Sequence, residues 1–470
     1  MASRVAARWS AAAFFALAST WNYLDRFVLS AAGPQIRAEF HLNNQQFGWL
    51  LSAFGFSYAL ASPLAGWFLD WLGLETGIVC AVGLWSLGAA LCGWTRSLGQ
   101  LIAARVFLGI WESAGVPAAG KLNAIYLEPK DRAIGAALTQ VGLAVGGSGA
   151  PLLVGWFTGW RSPFFVCALL GLGWIPLWIL VRRAVAPWQA VAPQRTAGGL
   201  VAQGPPDAAP EKRGTHPSSR DSAAITCASS FEAQGPPVAA PNSRGTRPSS
   251  RDSAAITCAS SFELLADSRL LRLACANIFW MIGYVLWSNW TTIYLSETFR
   301  MTGAQANRFA WFPPVVSTFG AFAGGWLSRR AMTRGAVDVD ARRFALLVSS
   351  AGCLVVALAP FCRTPFQATL VIAASYFWTT AGSVNLYTMP VDIWGGERAG
   401  TAISALVCSY GLLQTVISPA IGFLVDRFGF APVCWLAALP PMGAWAMLRT
   451  ISASLTASLI SSGDTSRTTS

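Results

Sequence analysis

Charge is what this chain of 470 residues has least of. Asp, Glu, Lys and Arg together supply 11% of it, where a soluble domain carries about 25%. So little charge cannot clothe a water-soluble protein of this length. Histidine occurs only twice, and the ten cysteines are scattered without metal-ligand spacing, so they read as small buried hydrophobes. No phosphate-cradling glycine loop, nucleophile motif or metal-ligand cluster is present, which argues against an enzyme and against any bound cofactor. The net charge of +12 needs no nucleic acid to explain it, because basic residues in loops beside a membrane give the same balance.

What abounds is apolar. Hydrophobic residues make up 54% of the chain and mean hydropathy is +0.48. Runs of about 20 apolar residues, the length that spans a bilayer, fall near 9–32, 46–69, 75–95, 99–121, 132–157 and 163–183. Six more fall near 270–295, 305–328, 343–362, 366–392, 400–425 and 432–449. The pattern predicts an all-α membrane protein of twelve transmembrane helices in two six-helix bundles, 1–183 and 269–450, related by a pseudo-twofold axis. With the N-terminus inside, short-loop basic residues favour the inner side thirteen to seven. Both termini are therefore expected in the cytoplasm, and the chain in the inner (plasma) membrane.

Between the bundles lies a polar insert, 184–268. Residues 202–232 recur at 233–263 with a period of 31 and four mismatches. Segments this rich in Pro, Ser, Gly and Arg cannot bury an apolar core, so a disordered cytoplasmic linker is expected, and the tail 451–470 reads alike.

Against this background four ionisable residues stand out: Asp25 and Arg26 in the first apolar run, Arg105 and Glu112 in the fourth. Each costs roughly 2.5 to 3.5 kcal/mol at the centre of a membrane helix, so they demand mutual pairing or a wet cavity. Arg105 and Glu112 are seven residues apart, on nearly one helix face and about 10 Å apart along it. Tyr58 reaches a similar depth in the second run. A guanidinium in a low-dielectric cavity is a natural carboxylate ligand, and acids beside it are natural proton carriers. A static salt-bridged network holding helices 1 and 4 together is the alternative reading of the same four residues.

The run Asn22-Tyr23-Leu24-Asp25-Arg26 resembles the helix 1 motif of the anion:cation symporter branch of the major facilitator superfamily. Arg105-Val106-Phe107-Leu108-Gly109-Ile110-Trp111-Glu112, followed by Pro117, resembles that branch's helix 4 signature. Gly159-Trp160-Arg161 and Trp290-Thr291-Thr292-Ile293-Tyr294-Leu295 are further matches in order. The resemblance implies proton-coupled symport of an organic anion, often a sugar acid of hexuronate, galactonate or glucarate type, by alternating access. It implies Asp25 and Glu112 as the protonatable pair, Arg26 as the substrate-carboxylate ligand, and Arg105 as partner of the acids when substrate is absent. Tyr23, Tyr58, Ser375 and Trp378 match cavity-wall positions. Gln140 and Asn385 are polar candidates on helices 5 and 10. Where the family has a helix 11 Asn, this chain offers Cys408, Ser409 and Tyr410. Implied partners are a small organic anion, protons and the lipid bilayer, with a monomer expected. An organic-anion/phosphate exchanger, or a non-transporting sensor on the same fold, are the alternatives. The exchanger would be expected to carry an Arg deep in helix 7, where this chain has Trp287, Ser288, Asn289 and Trp290.

Overall fold

A computed structural model describes residues 2–127, 132–185, 264 and 266–449. The insert and the tail lie almost wholly outside these residues. Among the described residues every regular element is helical, so the all-α expectation holds. The N-terminal half comprises α1 (Ala2–Ala31), α2 (Gly33–Phe40), α3 (Asn44–Trp71), α4 (Leu74–Trp94), α5 (Leu98–Glu112), α6 (Gly115–Tyr126), α7 (Arg132–Trp156) and α8 (Ser162–Val185). The C-terminal half comprises α9 (Ser268–Thr298), α10 (Gly303–Ala310), α11 (Phe312–Thr333), α12 (Asp338–Cys353) continued by a 3-10 segment (Leu354–Phe361), α13 (Pro365–Phe428), α14 (Phe430–Ala438) and α15 (Pro440–Leu448).

Eight segments among the described residues are long and apolar enough to cross a membrane, rather than the twelve expected. Neither α1, with Asp25 and Arg26, nor α11, with Arg329 and Arg330, is among them. Polar residues that face protein lower the hydropathy of a helix without moving it out of the bundle.

Prolines place the breaks. Pro117 has no N–H for the carbonyl of Ser113, and α5 ends at Glu112, one residue earlier. Pro313 and Pro314 follow the break between α10 and α11, and Pro440 and Pro441 that between α14 and α15. The expected spans 366–392 and 400–425 are assigned as one helical run of 64 residues. That run folds back on itself. Tyr284 packs its ring 5.7 Å from Tyr376 and 6.0 Å from Tyr410, two residues that a straight helix would hold about 51 Å apart.

Six tryptophans, Trp85, Trp174, Trp178, Trp280, Trp287 and Trp290, are fully buried, whereas Trp49, Trp67, Trp71, Trp94 and Trp156 stand exposed among Leu and Phe on the outside. Such an apolar exterior suits lipid, not water. The Gly159-Trp160-Arg161 motif braces the N-terminal half. The Arg161 guanidinium clasps Glu39 at 2.6 and 2.9 Å while Trp160 donates to the same carboxylate at 2.6 Å. The hydrogen bonds from Arg161 hold the Glu39 carboxyl below its usual range.

The halves meet at one end of the bundle, that of the α1–α3 connection. Asp426 accepts from the backbone N–H groups of Asn44 (3.0 Å) and Gln45 (2.9 Å) and from the Asn44 side chain (2.9 Å). Arg37 pairs with Glu297, Ser52 donates to the Thr415 carbonyl, and Asn307 donates to the Ala31 carbonyl at 3.1 Å. Contact is close enough there that a Cβ on Gly48 would lie 2.6 Å from the Cα of Pro419.

Candidate functional site

Asp25, Arg26, Arg105 and Glu112 come together in the interior between α1, α3 and α5. Relative exposure is 1% for Asp25, 1% for Arg105 and 0% for Glu112. What brings α5 so near α3 is Gly109, where a Cβ would stand 2.8 Å from the Phe54 carbonyl oxygen. Glu112 lies three residues on and Arg105 four residues back, so both flank this contact.

The Arg26 Nη2 donates to Glu112 Oε2 at 3.4 Å. A charge-assisted N–H···O bond ordinarily spans about 2.7–2.9 Å, so this pair is loosely made. Around the Arg26 guanidinium stand the rings of Tyr23 (5.3 Å), Phe54 (5.0 Å) and Tyr58 (4.5 Å). Arg105 lies 4.5 Å from the centroid of the same Phe54 ring. Two guanidinium groups thus share one benzene ring. Both oxygens of Asp25, Oε1 of Glu112, Nε of Arg26, and Nε and Nη1 of Arg105 are buried without a well-formed hydrogen bond, the thiol of Cys167 lying near Asp25 and that of Cys92 near Arg105. The ion pair falls on Arg26, whereas the family resemblance assigned acid pairing to Arg105.

A network meant only to hold two helices together would satisfy its charges, because an unpaired buried charge is strongly destabilising. This one leaves oxygens and N–H groups open in the same small volume. It can therefore accept a carboxylate at Arg26, or a proton at either acid, without dismantling its surroundings.

The other expected site residues divide. Tyr23 and Tyr58 join the cage. Ser375 is buried at 2% exposure on α13, next to Tyr376. Trp378 turns elsewhere: its ring lies over Gly352 of α12, where even a Cβ would collide with it. Asn385 is fully buried and occupied, donating to the carbonyls of Gly324 (3.0 Å) and Ala381 (2.9 Å) and accepting from Arg342 at 3.4 Å. The side chain of Gln140 lies outside the described residues. In the region of the helix 11 departure, Ser409 accepts from the Asn277 side chain at 2.9 Å, while Tyr410 comes within electrostatic range of Arg26. Tyr284 and Tyr376 extend this tyrosine wall and were not foreseen. A tyrosine in an apolar run carries no mark of its facing, and only the fold-back of α13 brings these rings together.

Comparison with known proteins gives the family and the fold. The family model of the Major Facilitator Superfamily matches residues 15–412. The chain is 22% identical over 430 residues to the hexuronate transporter of Escherichia coli (strain K12), covering 91% of this chain and 89% of that one. It is 25% identical over 415 residues to the probable sulfoacetate transporter SauU of Cupriavidus necator, covering 87% and 85%. Over 175 residues it is 30% identical to the galacturonate transporter of Dickeya chrysanthemi, covering 37% of this chain and 51% of that one. A crystal structure of a bacterial homolog to the human lysosomal transporter Spinster, inward-facing and unoccupied, superposes with a TM-score of 0.60 at 19% identity, covering 94% of each chain.

Proposed function

Because the chain belongs to the Major Facilitator Superfamily, and so is a multi-pass membrane transporter and not an enzyme, we propose that it moves an organic anion of the sugar-acid class together with protons. The observation that carries the reading is the loosely made Arg26–Glu112 pair at 3.4 Å, inside an aromatic cage and beside the buried Asp25. The relatives with sugar acids in their names support the substrate class.

In this reading a substrate carboxylate takes the planar fork of Arg26 bidentately. Glu112 then loses its cation, and a proton on Glu112 removes the cost of leaving that carboxylate unpaired in a buried site. Asp25 takes the second proton-carrying position, close to Glu112 and Arg105. Arg105 holds the remaining negative charge on Asp25. With a monoanionic substrate and one proton aboard, the centre carries no excess charge and the two halves can rock about it. Protons are the coupling ion, and no other cofactor is invoked. The chain would act as a monomer with twelve spans in the inner membrane, both termini cytoplasmic.

Uptake of labelled galacturonate, galactonate, glucarate and sulfoacetate into proteoliposomes, with and without an inward proton gradient, tests the proposal. Gradient-stimulated accumulation of a sugar acid is expected. Uptake that ignores the gradient but needs an anion loaded inside would replace symport by exchange.

A further inference from the structure

The two faces of α11 differ in kind. Gly320, Gly324, Ser328 and Ala331 are buried, and an added Cβ on Gly324 would collide with the Ala381 carbonyl of α13. The opposite face is open. Phe319, Phe322 and Trp326 are 62%, 64% and 56% exposed, and Arg329, Arg330 and Arg334 beyond them are exposed as well. At 3.6 residues per turn, the three aromatic residues, Arg329 and Arg330 fall within about 100° of arc. The Arg330 guanidinium lies back along this face, 5.3 Å from the Trp326 ring centroid. Gly325 leaves a notch between Phe322 and Arg329, since a Cβ there would meet nothing within 4 Å.

The three guanidinium groups lack an acid of their own. Among the described residues no ion pair involves Arg329, Arg330 or Arg334, and of the two acids that open α12, Asp340 is held by Arg343 at 2.9 Å. The C-terminus of a helix carries the equivalent of about half a negative charge, which a single guanidinium already exceeds. Arg330 lies 18 residues beyond Phe312, about 27 Å along the helix, at the end away from the Asn307–Ala31 contact. That is close to the depth of a bilayer's hydrocarbon core. The aromatic residues therefore stand at acyl-chain depth and the guanidinium groups at the headgroups.

We propose that this face of α11 binds an anionic phospholipid, its phosphodiester held by Arg329, Arg330 and Arg334 and one acyl chain lying in the Gly325 notch against Phe322 and Trp326. Guanidinium groups suit a phosphodiester because they give it short, charge-assisted hydrogen bonds. A zwitterionic headgroup brings its own cation to the same place and so gains less. The topology proposed above sets this end in the cytoplasmic leaflet, where anionic lipids concentrate. Each basic residue beside an anionic headgroup is worth about a fivefold preference. The proposal holds whatever anion the transporter carries.

Native mass spectrometry of the purified full chain, titrated with phosphatidylglycerol or with phosphatidylcholine of the same acyl chains, tests the site. The wild type is expected to retain phosphatidylglycerol at a lower lipid concentration than phosphatidylcholine. Arg329→Gln combined with Arg330→Gln should raise the phosphatidylglycerol concentration required by about tenfold or more and leave phosphatidylcholine unchanged. Arg363→Gln combined with Arg427→Gln makes the same charge change at exposed positions of the opposite end, and should alter neither. Equal losses from the two pairs, or a wild type that does not distinguish the headgroups, overturn the proposal. Displacement of the lipid by sn-glycerol 3-phosphate overturns it as well, because the site would then read a free phosphate. If the double variant fails to assemble, Arg330→Gln alone decides: a loss of about fivefold is expected, and unchanged phosphatidylglycerol binding overturns the proposal.

Discussion

Phe54 carries more of the site than its chemistry suggests. Its ring lies 5.0 Å from the Arg26 guanidinium and 4.5 Å from that of Arg105. Each cation–π contact is worth about 0.5 to 2 kcal/mol, and one ring makes both. Phe54→Leu keeps the site filled but removes the π face. Its apparent KM for the transported anion should rise by roughly tenfold, the equivalent of about 1.4 kcal/mol, while Phe54→Tyr should stay near wild type. Concentration-dependent uptake by the two variants checks this. Asp267, just before α9, offers a pH test remote from the site. Hydrogen bonds from Arg269, at 2.8 Å to its backbone N–H and 2.8 Å to its guanidinium, with Trp394 at 3.1 Å, hold its carboxyl down from the usual 3.8 to about 2. A carboxyl depressed on folding stabilises fully above its unfolded value, and that stabilisation fades as pH falls through the folded one. Asp267→Asn should therefore unfold at a lower temperature than wild type above about pH 4, and the gap should close as pH approaches 2. Thermal unfolding in detergent across this range reads it directly.

At the scale of elements, Asp426 is a helix cap supplied by the other half of the molecule. Its oxygens take the first two backbone N–H groups of α3, where the helix dipole favours negative charge. Losing such a cap costs about 0.5 to 2 kcal/mol, and here the cost falls only on the state in which the halves touch. Asp426→Ala should therefore raise the population open at this end several-fold. The reporter is the maleimide labelling rate of Ser418→Cys, a position fully buried beside Gly48 in this state, which should rise in the same proportion. This cap shows what the sequence could and could not convey. The charged centre was legible because lipid penalises every ionisable residue, so Asp25, Arg26, Arg105 and Glu112 announce themselves in apolar runs. Most span edges were legible too, because prolines and capping residues such as Asn43 and Thr302 mark them. Facing was not. Asn385 and Trp378 have the chemistry of cavity residues and are engaged in helix packing instead, while Tyr284 and Tyr376 look like packing residues and reach the central wall. The side on which a long helix meets its neighbours is set by contacts hundreds of residues away, which no local pattern records.

For the whole molecule, the cross-half hydrogen bonds and ion pairs among the described residues gather at one end: Ser30 with Asn289, Arg37 with Glu297, Asn44 and Gln45 with Asp426, Ser52 with Thr415, and Asn307 with Ala31. These contacts lie between the charged centre and the α1–α3 connection, so a ligand at Arg26 reaches that side only if they part. A transporter that works by rocking its halves must break all of them once per cycle, whereas a channel or a sensor need not. Joining Asn44→Cys to Asp426→Cys with a short bismaleimide, in a background lacking the native cysteines, should therefore abolish net uptake without preventing one bound anion per carrier. Each single-cysteine variant treated with the same reagent should keep most of its uptake. Deleting 202–263, the duplicated stretch, should leave uptake intact, because a sequence this rich in Pro, Ser, Gly and Arg cannot bury an apolar core of its own. Uptake that persisted through the cross-link would mean that the two ends of the bundle do not alternate, and the Arg26–Glu112 exchange would then need a path to both sides within a single conformation.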